Sequence, residues 1–259
     1  MKFHIMTLFP DVIRSYTDES ILKLAQEKGM IEVSCYNIRD FSTNKHRKTD
    51  DYPFGGGQGM VMTVQPIYDC FRHILSLIPE GETFRTLYLS PRGRTHTQKK
   101  AMELSSFDNL ILLCGHYEGI DERAIELLSA EEISIGDYVL TGGELGALVL
   151  IDSISRMVEG VLSSTESYQE ESFYNSLLEY PQYTRPREFL SLEVPEVLLS
   201  GNHKNIDEWR REESLKKTLR NRPDLLERAN ITEKEREKIE VWKKESKLLR
   251  TDNEEGKKL

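Results

Sequence analysis

The sequence predicts an α/β fold with a mostly parallel sheet, followed by a small all-helical domain. Strand-like and helix-like segments alternate through the first part of the chain, which is typical of parallel sheets built from βαβ units. A Ser-, Thr-, Glu- and Gln-rich stretch typical of a linker follows, and helical patterns make up the rest. We therefore expect an α/β domain over 1–160, a linker over 161–179, a helical domain over 180–245 and a charged, disordered tail over 246–259.

Hydrophobic periodicity predicts the elements in order. Strands are predicted where apolar residues alternate with polar ones or form a short unbroken run, over residues 2–7, 31–38, 86–89, 110–114 and 133–140. Helices are predicted where apolar residues recur every three or four positions, over residues 20–28, 64–78 and 97–104, between Gly119 and Ile133, from Gly143 towards Val158, and over 206–220, 223–229 and 232 onwards.

Local signals fix several helix ends. In the helix over 20–28 we expect Ile21, Leu24 and Ala25 to share the buried face, and Gly29 to end the helix. Thr63 suits the N-cap of the next helix. Near the C-terminus, a threonine at position 232 with a glutamate three residues later matches a capping box.

Composition limits the class of protein. The net charge of −9 argues against indiscriminate nucleic-acid binding, although it permits a local basic face. No apolar run approaches the roughly 18–20 residues of a membrane span, and the first residues lack the features of a signal peptide. Three widely spaced cysteines, Cys35, Cys70 and Cys114, suggest reduced thiols and a cytoplasmic protein.

Familiar nucleotide and metal motifs are missing from the sequence. The glycine run over 55–59 lacks the final glycine of G-x-G-x-x-G and the Gly-Lys-Ser/Thr of a P-loop. The sequence contains neither G-x-S-x-G nor H-E-x-x-H, and its six histidines are scattered without metal-ligand spacing. These observations exclude the commonest phosphate-binding, hydrolase and zinc sites.

Four glycine-bearing loops predict a small-ligand site. Two of them, Gly115–Gly119 and Thr141–Glu144, follow predicted strands, and the others lie over 55–59 and 90–93. Each loop taken alone is explained as a turn. In combination they favour a site at the carboxyl edge of the sheet, where glycine lets a ligand approach the main chain closely. The first of the other two loops belongs to a non-periodic stretch of roughly 20 residues, a length that is often functional.

Positive charge concentrates in three basic clusters. Each cluster taken alone is explained as a solvated face. Together they suit a polyanion contacted by both domains through its phosphates. The first cluster spans 45–48; the second contains Arg92, Arg94, Lys99 and Lys100; the third contains Arg210, Arg211, Lys216, Lys217, Arg220 and Arg222.

Five motifs resemble one enzyme family. They are YLSPRG at 88–93, CGHYEGIDER at 114–123, SIGDYVLTGGEL at 134–145, YTRP at 183–186 and VLLSGNH at 197–203. In these residues the chain resembles the bacterial tRNA (guanine-37-N1)-methyltransferases, and the similarity continues in matching order from Met1 to about Lys243.

The resemblance implies a fold, a cofactor and partners. The family belongs to the SPOUT methyltransferases, whose α/β domain contains a deep trefoil knot. It is a homodimer with shared active sites, it binds S-adenosylmethionine in the knot loops, and a helical C-terminal domain helps to hold the tRNA anticodon arm. The residues so implied to bind the cofactor are Tyr88, Leu89, Ser90, Pro91, Gly115, Tyr117, Glu118, Gly119, Ile135, Gly136, Asp137, Tyr138, Val139, Leu140, Gly142 and Gly143.

The resemblance also implies two catalytic residues. Glu171 stands where the family has the acid that removes the N1 proton, and Arg156 stands where it has the charge stabiliser. No metal is needed to activate a sulfonium methyl, and whether Mg²⁺ is required cannot be read from the sequence. The family usually has aspartate at position 171, and Glu170 is adjacent, so either glutamate is a candidate base.

Alternatives remain at this point. The glutamate at position 171 favours a catalytically impaired RNA-binding protein of the same fold as one alternative. An enzyme that acts on a small metabolite is a more distant one. Other departures from the family's usual residues affect local geometry, and they are Tyr52 for Arg, Gly146 for Pro, and Tyr174-Asn175-Ser176 for a small residue followed by Asp-Gly.

Overall fold

A computed structural model describes residues 1–162 and 171–255. The chain separates into two compact units, Met1–Thr165 and Glu166–Leu259. The first unit is built around a five-stranded sheet in which every neighbouring pair of strands is parallel. The second is mostly helical. The predicted fold class, a parallel α/β sheet with a helical C-terminal portion, is confirmed.

Strands and helices alternate through the first unit, and the sheet has the order β2-β1-β6-β5-β7. The strands are β1 (Lys2–Thr7), β2 (Glu32–Asn37), β3 (Asp50–Asp51), β4 (Val61–Met62), β5 (Phe84–Thr95), β6 (Asn109–Cys114) and β7 (Glu131–Ser134). The helices are α1 (Pro10–Thr17), α2 (Ser20–Glu27), α3 (Val64–Leu77), α4 (Gln98–Leu104), α5 (Glu122–Leu128) and α6 (Glu144–Ser155), with a 3-10 turn at Ile38–Phe41.

The central strand β6 explains why both faces of the sheet are covered. All six of its residues are buried, as expected of a continuous apolar run in a parallel sheet. Leu110, Leu112 and Cys114 pack into one core with α1, α2, α4 and α6. Ile111 and Leu113 pack into a second core with α3 and α5. The sheet is therefore held between two helical layers, and its carboxyl edge lies at the ends of these strands.

Two predictions about the first helices were wrong or incomplete. Helix α1 was not predicted. In α2 the structure buries Leu22 and Ala25, whereas Ile21 and Leu24 are 45% and 52% exposed. In so short a helix, the sequence is compatible with burial of Ile21 and Leu24 or of Leu22 and Ala25. Packing against the sheet decides which face is buried.

The predicted helix ends are better matched. Gly29 ends α2 with a φ of +70°, a conformation that glycine adopts without strain. Thr63 occupies the N-cap position of α3, but its hydroxyl donates to the carbonyl of Thr49 and does not cap the helix. Thr97 caps α4 by accepting a hydrogen bond from the backbone of Lys100.

The second unit is a small helical bundle with a short hairpin. Its core contains Leu177, Leu215, Ala229 and Ile239. The predicted helix over 223–229 is a 3-10 helix, and the last helix continues beyond the expected domain end at residue 245. The elements are β8 (Glu188–Phe189), β9 (Leu192–Glu193), α7 (Glu196–Leu199), α8 (His203–Asn221), the 3-10 helix Pro223–Glu227 and α9 (Glu233–Glu255).

The predicted capping box at the start of α9 is confirmed. Glu235 accepts a hydrogen bond from the backbone of Thr232 at 2.7 Å, and its own backbone N–H donates to the Thr232 hydroxyl. Arg211 from α8 also donates a hydrogen bond to Glu235. This bond, together with the capping hydrogen bonds from Thr232, lowers the pKa of Glu235 to about 2. The cap therefore ties α8 to α9. Within the described residues, no helix combines the length and apolar character that crossing a bilayer requires.

Candidate active site

A cavity of about 290 Å³ lies where β5, β6 and β7 reach the carboxyl edge of the sheet. Every residue that the resemblance implied to bind the cofactor lines this cavity except Asp137. Further lining residues were not named individually from the sequence, among them Arg92 and His116, which lie in predicted loops, and Glu122, which does not. The predicted lining residues are Tyr88, Leu89, Ser90, Pro91, Gly115, Tyr117, Glu118, Gly119, Ile135, Gly136, Tyr138, Val139, Leu140, Gly142 and Gly143.

The first wall of the cavity is formed by β5, which is longer than predicted. Sequence analysis expected a strand over 86–89 and then a loop over 90–93. The strand instead continues to Thr95, and its pairing with β7 shifts register between Leu89 and Arg94. At Gly93 an added Cβ would lie 2.4 Å from the carbonyl carbon of Glu132 in β7. Pairing thus resumes after a bulge because glycine allows the two backbones to approach.

The second wall is the loop after β6, over residues 115–119. Two of its residues have positive φ, Tyr117 at 59° and Gly119 at 130°. The loop is fixed from outside, because Glu118 N donates to the carbonyl of Met60 at 3.0 Å and Met62 N donates to the carbonyl of Gly119 at 2.9 Å. The shape of the loop is therefore set by its hydrogen bonds to β4 and to Met60, the residue that immediately precedes β4.

Tyr88 lies beneath this loop. An added Cβ on Gly115 would be 3.0 Å from the Tyr88 hydroxyl oxygen, so the ring packs tightly against this glycine. Burial raises the pKa of Tyr88. The phenol therefore stays protonated at neutral pH, and its hydroxyl can donate a hydrogen bond to a ligand in the cavity.

The third wall is the segment over 135–143. The predicted strand over 133–140 was wrong beyond Ser134, where β7 ends. Gly136 has a φ of +151°, its N–H donates to the Ser134 hydroxyl, and its carbonyl accepts from the backbone N–H of Tyr138. These local hydrogen bonds replace sheet pairing, and they form a turn that apolar character alone did not reveal.

A buried carboxylate joins the second and third walls. Glu144, at the start of α6, is 7% exposed in its side chain. It accepts a hydrogen bond from the Thr7 hydroxyl at 2.5 Å and lies 2.7 Å from Nε2 of His116. The His116 ring packs on Phe9 at a centroid distance of 4.8 Å. The backbone of Gly143 also donates to the carbonyl of Gly115 at 3.0 Å, so side chains and main chain hold the same two loops together.

Removing this carboxylate is expected to destabilise the first unit. In Glu144→Ala the hydroxyl of Thr7 and the ring of His116 lose a buried partner, each loss costing about 1–3 kcal/mol. For a protein of this size, 1 kcal/mol lowers the melting temperature by about 2–4 °C. We expect Glu144→Gln to lower the melting temperature less, since the glutamine amide oxygen can still accept a hydrogen bond from the Thr7 hydroxyl. Thermal unfolding measures this, with the exposed Glu103→Ala as control; equal melting temperatures of Glu144→Ala and Glu103→Ala would contradict it.

The two predicted catalytic residues lie in different units. Arg156 follows the last turn of α6 and is half-buried. Glu171 belongs to the second unit, where it is half-buried and lines a second cavity of about 210 Å³ together with Tyr180 and Arg210. Glu170, the other candidate base, lies outside the described residues. The catalytic roles of Glu171, Glu170 and Arg156 stay predictions.

Acidic side chains offset much of the second and third basic clusters. This pairing was not foreseen from the sequence, because the acidic partners come from other elements or from helix neighbours. The electrostatic attraction between these two clusters and a polyanion is therefore weaker than the number of basic residues suggests. The ion pairs, with N–O distances of 2.6–3.1 Å, are Arg92–Glu132, Lys100–Glu131, Arg211–Glu235, Lys216–Glu213 and Arg222–Asp224.

The fold and the cavity define a class of protein. A parallel α/β sheet with glycine-rich loops at its carboxyl edge, enclosing a ligand-sized cavity, is the arrangement of enzymes that bind a compact organic cofactor. Among the described residues, no group of three or more histidine, cysteine or acidic side chains could hold a metal ion.

The chain belongs to the tRNA (Guanine-1)-methyltransferase TrmD family, whose sequence model matches residues 1–228. This confirms the family that the motifs predicted. The chain is 63% identical over 230 residues to a tRNA (guanine-N(1)-)-methyltransferase of Clostridioides difficile strain 630, covering 89% of this chain and 99% of the relative. It is 59% identical to the enzyme of that name from Alkaliphilus metalliredigens strain QYMF over 91% of this chain and 95% of the relative. It is 50% identical to the enzyme of that name from Geobacillus kaustophilus strain HTA426, over 95% of this chain and 99% of the relative.

Proposed function

We propose that this protein transfers a methyl group from S-adenosylmethionine to N1 of the guanine at position 37, immediately 3′ of the tRNA anticodon. Membership of the family and the names of its relatives support a tRNA guanine-N1 methyltransferase. The observation that carries the cofactor assignment is the cavity at the carboxyl edge, lined by the three segments that the motifs single out.

The lining fits a compact and polar organic cofactor. Backbone N–H and C=O groups of glycine-rich segments supply hydrogen-bonding groups, and leucine, isoleucine and valine side chains supply apolar contact. Added side-chain atoms at Gly142 or Gly143 would collide with neighbours at 2.2 and 2.7 Å. The close packing behind these glycines shows why the wall has no side chains there.

The reaction then needs a proton acceptor and a stabiliser of negative charge. S-adenosylmethionine, when bound, supplies a sulfonium methyl that is a ready electrophile. Guanine N1 carries a proton, and Glu171 would accept it as general base. Negative charge then develops on the O6 atom of the guanine, and the guanidinium of Arg156 would stabilise it. Whether Mg²⁺ assists is answered by comparing rates with and without it.

We also propose a homodimer in which two chains complete each active site. Support comes from an exposed apolar surface formed by neighbouring helices α1 and α6. The helices are joined by a hydrogen bond from the Tyr16 hydroxyl to Asp152 at 2.6 Å. An apolar surface of this kind is typical of an interface between subunits. It contains Phe9, Val12, Tyr16, Leu145 and Val149, each more than 40% exposed.

Two further proposals follow from family membership. The deep trefoil knot of SPOUT enzymes is proposed because the chain belongs to the family. A cytoplasmic location is supported by three cysteines that form no disulfide, which is usual in reducing compartments.

Single-turnover transfer of a tritiated methyl group tests the function. The substrates are anticodon stem-loop RNAs with guanine or adenine at position 37, and RNA binding is followed in parallel by gel retardation. We expect label in the guanine RNA alone. Retardation of both RNAs without label would identify a binding protein of the same fold, and label in neither RNA without retardation would contradict the proposed substrate.

A further inference from the structure

The segment between β3 and β4 forms an exposed tip loop, residues 52–60. The side chain of Phe54 in this loop is 100% exposed, and Tyr52 is 79% exposed. Burying a phenylalanine is worth roughly 1.5–3 kcal/mol, so a fully exposed ring beside another exposed aromatic residue forgoes that stabilisation. Within the described residues nothing covers the ring of Phe54.

The base of the tip loop is fixed firmly. Strands β3 and β4 pair in antiparallel register, with Asp50 opposite Met62 and Asp51 opposite Val61. The backbone of Thr63 donates to the carbonyl of the fully buried Thr49 at 2.8 Å. The exposed rings are therefore held on a short hairpin with a rigid stem.

This stem is continuous with the wall of the cofactor cavity. Met60 accepts a backbone hydrogen bond from Glu118, and Met62 donates one to Gly119, which lines the cavity. An added Cβ on Gly59 would lie 2.5 Å from Cγ of Glu118, another lining residue. The tip loop thus stands next to the site where the target guanine must present N1.

Glycines give the loop its shape without adding side chains. Gly55, Gly56, Gly57 and Gly59 all have φ between +80° and +132°, which disfavours any residue with a Cβ. Three of them directly follow Phe54. The ring therefore has open space on that side, and a planar ligand can reach its face.

Two exposed lysines lie on the segment that leads into the tip loop. Lys45 and Lys48 precede β3, are exposed, and form no ion pair among the residues that the structure describes. In the same basic cluster only Arg47 is paired, with Asp40 at 3.0 Å. These lysines belong to the same continuous segment as the exposed rings, with Asp50 and Asp51 between them. In surfaces that bind single-stranded RNA, lysines contact phosphates and exposed aromatic rings stack on bases.

We propose that Phe54 stacks on a nucleobase that flanks the target guanine, and so holds the anticodon loop open while the guanine enters the site. The proposal rests on the proposed function and adds a substrate-positioning residue to it. A second copy of the chain is a less suitable partner for this ring, because α1 and α6 present a larger exposed apolar surface.

A cycle of protein and RNA changes tests this proposal. Phe54→Ala and the wild-type protein are compared on three stem-loops: the intact loop, one abasic at position 36 and one abasic at position 38. Loss of one stacked base is expected to reduce the single-turnover rate at subsaturating RNA about 5- to 150-fold. We expect Phe54→Ala to show that loss on the intact RNA and on one abasic RNA. On the other abasic RNA, which already lacks the stacking base, the mutant and wild-type rates should agree.

Two controls separate stacking from other roles. Phe54→Trp should keep the wild-type rate, and Phe84→Ala, which removes an aromatic residue 43% exposed at the far end of β5, should not change it. An equal loss on all three RNAs, a change in oligomeric state, or no loss in Phe54→Ala would overturn the proposal. Methyl transfer that is absent even in the wild-type protein would refute the proposed function instead.

Discussion

Replacing Glu171 with glutamine is expected to reduce methyl transfer to guanine-37 by about 100- to 10,000-fold, the range that general-base catalysis contributes. Glutamine matches the size of glutamate but cannot accept the N1 proton. Since Glu171 is not among the residues that line the cofactor cavity, we expect the dissociation constant for S-adenosylmethionine to stay unchanged. Single-turnover kinetics and calorimetry measure the two quantities.

Neighbouring substitutions make this prediction sharper. Glu171→Asp introduces the acid that is usual in the family and is expected to keep substantial activity. Glu170→Gln is expected to leave the rate close to that of the wild type. An equal loss in Glu170→Gln would move the base to that residue, and normal activity in both glutamine variants would remove the general-base role from this segment.

Replacing Gly143 with alanine is expected to weaken cofactor binding about 5- to 150-fold, because overpacking of this kind costs about 1–3 kcal/mol. The added Cβ would lie 2.7 Å from Cα of Cys114 and 3.1 Å from the backbone nitrogen of Gly115. These are main-chain atoms at the end of the fully buried β6, so the second wall of the cavity must move.

Gly146→Ala is the matched comparison for this prediction. Its added Cβ would meet only the flexible side chain of Leu89, at 3.0 Å, and alanine is favoured over glycine inside a helix by about 0.5–1 kcal/mol. We expect its cofactor affinity to fall much less. Calorimetric titration of both variants measures the difference, and equal affinities for Gly143→Ala and the wild-type protein would show that this wall does not shape the site.

Features that depend on local sequence were predicted well. The apolar run over 110–114 identified the strand β6, and the glycines after it identified the loop over 115–119. The capping box at Thr232 and Glu235 was predicted and is confirmed, because its partners are three residues apart. Motif resemblance supplied most of the cavity lining, since each motif is contiguous in the sequence.

Features that depend on contacts distant in sequence were missed. Thr7, His116 and Glu144 come from three separate segments, and no periodicity indicates that they meet. The only indication in the sequence was Glu144 at the first position of α6. An acidic residue there is explained equally well by its favourable interaction with the helix dipole. The continuation of β5 past its bulge likewise depends on β7, whose pairing the sequence of β5 does not encode.

Calorimetry on the pure, folded protein tests the central claim most directly. The titrants are S-adenosylmethionine and its demethylated product, added separately. If glycine-rich segments at the carboxyl edge of the sheet hold the methyl donor, both titrations give heat with one saturable site per chain, and Gly143→Ala weakens both. No binding heat with either compound at several temperatures would contradict the account.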